Sequence, residues 1–135
     1  MECILCKIVA GEIPCYKVYE DAKFLAFLDI TPVNPGHVIL IPKQHTENLL
    51  DTADEILNEF LPLAKKIAKV VMAVTKADGF NLNQNNFSAA GQVIGHLHFH
   101  IVPRFSDDGL ELWRGKEYGE GEAEILAEKI RTYND

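Results

Sequence analysis

Apolar and polar positions change period several times along the chain, and each change marks an element. Residues 3–10, Cys-Ile-Leu-Cys-Lys-Ile-Val-Ala, form an apolar turn that Gly11 ends, the pattern of a short helix with a glycine exit. Residues 15–20 alternate as a strand and 23–29 read as a second, with Asp21-Ala22 as the tight link of a hairpin. Two prolines and a glycine make 31–36 a loop. The run His37-Val-Ile-Leu-Ile41 predicts a buried strand. Thr52-Ala-Asp-Glu55 has the form of a capping box. Ile56, Phe60, Leu63, Ile67, Val71 and Val74 then share one helical face up to Asp78-Gly79, and Pro62 inside that stretch predicts a kink. Residues 80–85 alternate again, 86–91 are loop, and Leu97–Val102 form a strand that Pro103 stops. Residues 106–119 are irregular, and Glu122–Tyr133 close the chain as a helix with Leu126, Ile130 and Tyr133 aligned. Hairpin-linked strands with one long helix between the third and fourth predict an α+β fold: a mainly antiparallel five-stranded sheet, one long helix and short terminal helices.

The last of these strands carries the sharpest chemical signal. In His96-Leu-His-Phe-His-Ile-Val102, alternation sends Leu97, Phe99 and Ile101 to one face and three imidazoles to the other. A lone histidine there would read as a packing residue satisfied by a carbonyl. Three of the chain's five histidines on one face do not. Two chemistries compete. Neighbours at i and i+2 stand ~6.5–7 Å apart and can converge on a metal, but His96 and His100, ~13 Å apart, cannot join one ion on a straight strand. Alternatively, an imidazole whose second nitrogen is held by an acceptor is a good nucleophile at phosphorus.

Composition narrows the classes. The 135 residues suit one domain over 1–135. Its expected folded surface, ~7,100 Å² against ~22,000 Å² unfolded, allows an ordinary core. A net charge of −7 argues against nucleic-acid binding. The acid is uneven: residues 106–135 hold 9 acidic and 4 basic groups, against 11 and 9 before them, so phosphate chemistry belongs in the first 105 residues. No apolar run is long enough for a membrane span, and the N-terminus lacks a secretory pattern, so the expectation is a cytoplasmic protein. Cys3 and Cys6 are too close to frame a disulfide scaffold and read as a metal or redox pair, while Cys15 reads as a small core residue.

The pattern His-φ-His-φ-His-φ-φ, with φ apolar, resembles the signature of the histidine triad superfamily, and residues 96–102 match it fully. The family's nucleotide-binding branch is resembled further by residues 3–14, Tyr19-Glu-Asp21, residues 25–30, residues 36–45 and Gly91-Gln92, in the right order from about residue 2 to 105. Residues 106–135 match more loosely. The resemblance implies hydrolysis or transfer at the α-phosphate of a purine nucleoside phosphate, through a nucleotidyl intermediate on the middle histidine, His98. It implies that His100 contacts the phosphate and that His96 supports the site. By the same likeness Asp29 takes the ribose diol, Leu5, Ile8 and Ile30 sandwich the base, and Asn85 lies near phosphate with the amides around Gly91, Gln92 and Val93. Taken alone, Asp29 reads as a strand-ending turn residue, Asn85 as a turn amide and the three apolar residues as core. Val93 departs from the pattern, since that branch has a serine there whose hydroxyl is linked to leaving-group assistance. His37 reads equally as a supporting residue or a plain strand residue. Some family members bind structural zinc through two cysteines and two histidines, and the matching set is Cys3, Cys6, His45 and His96. The family forms two-fold dimers, so a homodimer is expected. Rival readings are a diadenosine polyphosphate hydrolase, a nucleotide-binding module with little turnover, and a catalytic zinc at the triad.

Overall fold

The computed structural model describes residues 2–134. A short helix α1 (Ile4–Val9) opens the chain, and Ala10 and Gly11 close it. Strands β1 (Lys17–Glu20), β2 (Phe24–Leu28) and β3 (Val38–Pro42) follow. The long helix α2 (Asp54–Thr75) precedes β4 (Gly79–Asn83) and β5 (Phe99–Arg104), and α3 (Glu122–Arg131) comes last. The five strands lie in the order β1-β2-β3-β5-β4 with every neighbouring pair antiparallel, the α+β sheet expected.

Both faces of this sheet are covered, which explains why β2 and β3 are apolar at consecutive positions instead of alternating. Phe24, Ala26, Val38 and Leu40 pack on Phe60, Ala64, Ile67, Ala68 and Val71 of α2. Leu25, Phe27 and Ile41 turn the other way, onto Cys3 and Leu5. The α2 face is shifted from its expected stripe: Ala64 and Ala68 are buried, whereas Val74 is exposed. The helix runs through Pro62 without interruption.

Its start also differs from the expected capping box. A single 3₁₀ turn, Leu49–Asp51, is inserted first and is itself boxed by Asn48 and Asp51. The buried Thr52 hydroxyl donates to the Asn48 carbonyl at 2.7 Å, and α2 starts instead from Ala53 as N-cap, with no side-chain cap bond. The triad strand differs similarly. Regular β5 starts only at Phe99, and the stretch before it is held by the Leu97 amide on the Thr46 carbonyl at 2.8 Å. Pro103 does not stop β5, which continues to Arg104. Its carbonyl accepts from the Asn34 side chain, on the side where β3 no longer pairs, so the missing amide breaks no ladder bond.

Two glycines are required by their backbones. Gly36 has φ +99°, and a Cβ there would stand 2.6 Å from the Thr75 methyl. Gly91, at φ +93°, turns the loop before the triad. The accessible surface, 9,685 Å², is well above the ~7,100 Å² of a compact chain of this mass. The excess comes from the C-terminal part: every described residue from 109 onward is exposed, and α3 buries nothing.

Candidate active site and metal centre

The triad histidines share the sheet face expected of them, opposite Leu97 and Ile101, yet each enters a different neighbourhood. His96 is fully buried, and its Nε2–H donates to the Pro42 carbonyl at 2.9 Å. A carbonyl only accepts, so His96 Nδ1 is left with a bare lone pair. That nitrogen lies 3.5 Å from Cys3 Sγ, 3.6 Å from Cys6 Sγ and 3.1 Å from His45 Nδ1, and Cys6 Sγ is 3.3 Å from His45 Nδ1. All four ligand atoms fall within 4.8 Å of one another. A zinc tetrahedron with ordinary bond lengths has N···N edges of ~3.3 Å and N···S edges of ~3.6 Å. The cluster already has those dimensions, so its donor set fits zinc. Burial, reinforced by the adjacent Cys3 thiol, pushes the Cys6 thiol up, a penalty that a cation relieves.

His98 is the second case. Its Nδ1–H donates to the His96 carbonyl two residues back at 2.7 Å, which leaves Nε2 as the bare nitrogen. His98 lines a cavity of about 540 Å³ together with His100, Asp29, Thr31, Gly91 and Val93. Leu5, Ile8, Ile30, Ile13, Phe27 and Ile39 make its apolar wall. An imidazole lone pair, a carboxylate and an apolar slot thus share one open cleft.

His100 is the third. Its Nδ1 lies 2.8 Å from Nε2 of the buried His37, and His37 Nδ1 accepts from the Val33 amide at 3.1 Å. Register explains the meeting: Ile39 pairs with His100, so His37 is the diagonal neighbour on the same face. Asp29 lies at the end of β2 with Oδ2 3.7 Å from His37 Nε2, while its Oδ1 accepts from the Thr31 amide and hydroxyl. Burial, with His98 and His37 alongside, pushes His100 down to about 4 against the opposing pull of Asp29. Burial lowers His37 as well, again opposed by Asp29.

Most of the residues singled out by sequence come together at the cleft or the cluster, but two stand back from the wall. Gln92 braces the loop: its carboxamide accepts from the Phe87 amide and donates to the Glu47 and Ile94 carbonyls. Asn85 lies behind Gly91, with its side-chain nitrogen 3.4 Å from where a Cβ would be. The amides of Gly91 and Gln92 already bond the Ser88 and Phe87 carbonyls. Sequence reasoning left His37 undecided and read Cys15 as a small core residue; Cys15 does pack against the Leu5 and Phe27 cluster, and it also lines the cleft. A single histidine or cysteine has no periodicity to reveal it, and only the strand register brings each to the site.

The chain belongs to the HIT family: the HIT domain model matches residues 10–107. It is 41% identical over 134 residues to an adenosine 5'-monophosphoramidase of Schizosaccharomyces pombe, covering 98% of both chains. It is 42% identical over 109 residues to an adenylylsulfatase of Arabidopsis thaliana, covering 81% of this chain and 55% of that one. Among solved structures, a zinc-bound histidine triad family protein from Mycobacterium smegmatis superposes with a TM-score of 0.78 at 36% identity, covering 98% of this chain and 99% of the other.

Proposed function

We propose that this protein is a nucleotide hydrolase acting at the α-phosphate of purine nucleoside phosphoramidates or related nucleotides, through a covalent nucleotidyl intermediate on His98. The observation that carries this reading is the His98 tautomer. With Nδ1–H anchored on the His96 carbonyl, Nε2 presents its lone pair to a cleft roomy enough for a mononucleotide. Asp29 Oδ2 is free to accept from a ribose diol, Leu5, Ile8 and Ile30 offer apolar contact to a base, and His100 Nε2–H faces the phosphoryl oxygens. The relatives named as a monophosphoramidase and an adenylylsulfatase both act on an adenylyl group, which supports a nucleotide as substrate.

Cys3, Cys6, His45 and His96 would hold a structural zinc. Its chemistry here is to bind α1 to the triad strand, so that the His96 carbonyl stays aimed at His98. A homodimer is supported by the exposed apolar surface. Leu61 and Met72 of α2 form a groove with Phe80 and Leu82 of the edge strand β4, and Leu112, Trp113 and Ile130 are exposed elsewhere on the surface. Light scattering at twice the monomer mass supports this assembly, and a monomer refutes it.

Replacing His98 with Ala tests the central reading. Release of nucleoside monophosphate from adenosine phosphoramidate should fall by at least ~10³-fold, with metal content unchanged. Undiminished release would exclude His98 as nucleophile.

A further inference from the structure

The first helix serves two sites at once. Residues three apart share a face of a helical turn, and two such pairs interleave at α1. The Cys3 and Cys6 sulfurs lie 3.3–3.6 Å from the His45 and His96 imidazoles. Leu5 and Ile8 stand on the wall of the cleft. Two of the four candidate metal ligands and two of the three residues assigned to the base thus come from one short stretch of chain.

Such a helix does not hold itself. Its six residues are far below the length at which a helix persists alone. Among the described residues, every hydrogen bond and ion pair of residues 2–13 stays within that stretch, except the contacts of the two sulfurs with His45 and His96. Leu5, packed on Leu25, Phe27 and Ile41, is the one buried residue of the helix proper. The sugar and phosphate end of the cleft is anchored elsewhere. His98 is tied to the His96 carbonyl, His100 lies in β5, and the Asp29 amide donates to the His37 carbonyl at 2.9 Å. His96 has further holds, the Pro42 carbonyl on its ring and the Thr46 carbonyl on the next amide. A change in metal load therefore falls first on α1 and less on the triad.

The cluster is also reachable from solvent. A second hollow, of about 360 Å³, is lined by Cys3, His45, Glu2 and Gly95, and it shares Ile4, Val93 and Ile94 with the cleft as a common wall. Gly95 is not demanded by its backbone: its φ is ordinary, and a Cβ there would meet only the Glu47 side chain, at 3.8 Å. The missing side chain leaves the hollow open beside the ligand sulfur.

We propose that metal load tunes affinity for the base. Through α1, the cluster of two cysteines and two histidines is coupled to the apolar half of the cleft, so zinc and the nucleoside base strengthen each other's binding. The ribose and phosphate contacts stay largely independent of metal. This rests on the nucleotide and zinc readings proposed above. Coupling of this kind is reciprocal and typically amounts to about 5–150-fold in affinity.

The test reads metal rather than turnover. Zinc-loaded protein is equilibrated with a competing chromogenic chelator, alone, with saturating adenosine monophosphate, or with saturating methyl riboside 5-phosphate, which has the sugar and phosphate but no base. The two ligands carry the same phosphate, so direct binding of zinc to the ligand cancels in the comparison. Adenosine monophosphate should raise the apparent zinc affinity by about tenfold or more, and the methyl riboside by less than about threefold. No gain from adenosine monophosphate, when calorimetry shows it bound to the loaded protein, overturns the coupling and leaves the proposed function standing. Equal gains from both ligands also overturn it, because the metal would then hold the whole cleft and not the base wall. A loaded protein that binds no adenosine monophosphate would overturn the proposed function, and a protein that takes up no zinc would overturn the metal reading; this proposal fails with either.

Discussion

The His96 and His100 neighbourhoods look alike in outline and differ in kind. Each gathers ligand-type side chains within 4.8 Å: Cys3, Cys6, His45 and His96 in one, Asp29, His37 and His100 in the other. Around His96, the Pro42 carbonyl takes the outer nitrogen, so the inner lone pair faces two sulfurs and another imidazole with no proton among them assigned. Around His100, the Val33 amide orders the protons in sequence, and each nitrogen that accepts meets one that donates. The first arrangement suits a cation; the second is already satisfied. What separates them is one backbone group behind each cluster, a carbonyl in one case and an amide in the other. His98 stands between the two, oriented by the carbonyl of His96.

Replacing Cys3 and Cys6 together with Ser should have the largest effect on this contrast. Zinc should drop from one per chain to none, and stability should fall steeply, since a structural site contributes ~10 kcal/mol of binding energy. Metal analysis and thermal unfolding check both. Zinc retained by that variant would mean that the Asp29 cluster also binds metal, and the contrast would fail.

Asp29→Asn should act on the other side, through substrate affinity. Loss of the charged acceptor should raise KM by about tenfold, ~1.4 kcal/mol, and change kcat less. An unchanged KM would remove Asp29 from the binding site.

Acid should come next. His37 and His100 are both held neutral by burial, so their native pKa values lie below that of the unfolded imidazole, near 6.5. Between pH 6.5 and about 4, the value for His100, the unfolded chain binds more protons than the native one. Stability should therefore fall as pH is lowered through that window and level off above it. Denaturant titrations of zinc-loaded protein read the slope, and a flat profile would contradict the neutral pair.

The smallest effect belongs to the loop between the two neighbourhoods. Phe87 is exposed with φ +70° and ψ 156°, a strained conformation for a side chain. Phe87→Gly should stabilise the protein by about 1 kcal/mol, because relief of strain exceeds the added chain entropy. A loss of stability would show that the phenylalanine side chain contributes more than its backbone costs.

Much of this was readable from residue order. The alternation around His96 to Val102 announced a histidine face, and the apolar runs at 24–28 and 38–42 announced strands. Cys3 and Cys6 on one turn announced a ligand-type pair, and the fold brings His45 and His96 to it. What stayed hidden depends on contacts across the chain. His37 gains its role from a partner 63 positions away. Thr52 is not the cap because α2 starts one residue later, at Ala53, behind the 3₁₀ turn at Leu49–Asp51. Pro103 is tolerated in β5 because β3 has already stopped pairing beside it. Local patterns reported the elements; register and long-range hydrogen bonds decided which nitrogen holds which proton.

The central claim concerns a single atom, Nε2 of His98. Rapid acid or base quenching during turnover of an adenosine 5'-phosphoryl substrate, followed by peptide mass analysis, tests it directly. A transient adenylyl adduct should appear on the peptide carrying His98, stable to base and labile to acid as a phosphoramidate is, and decay as product forms. Product formed without any such adduct, or an adduct confined to another residue, would contradict the account.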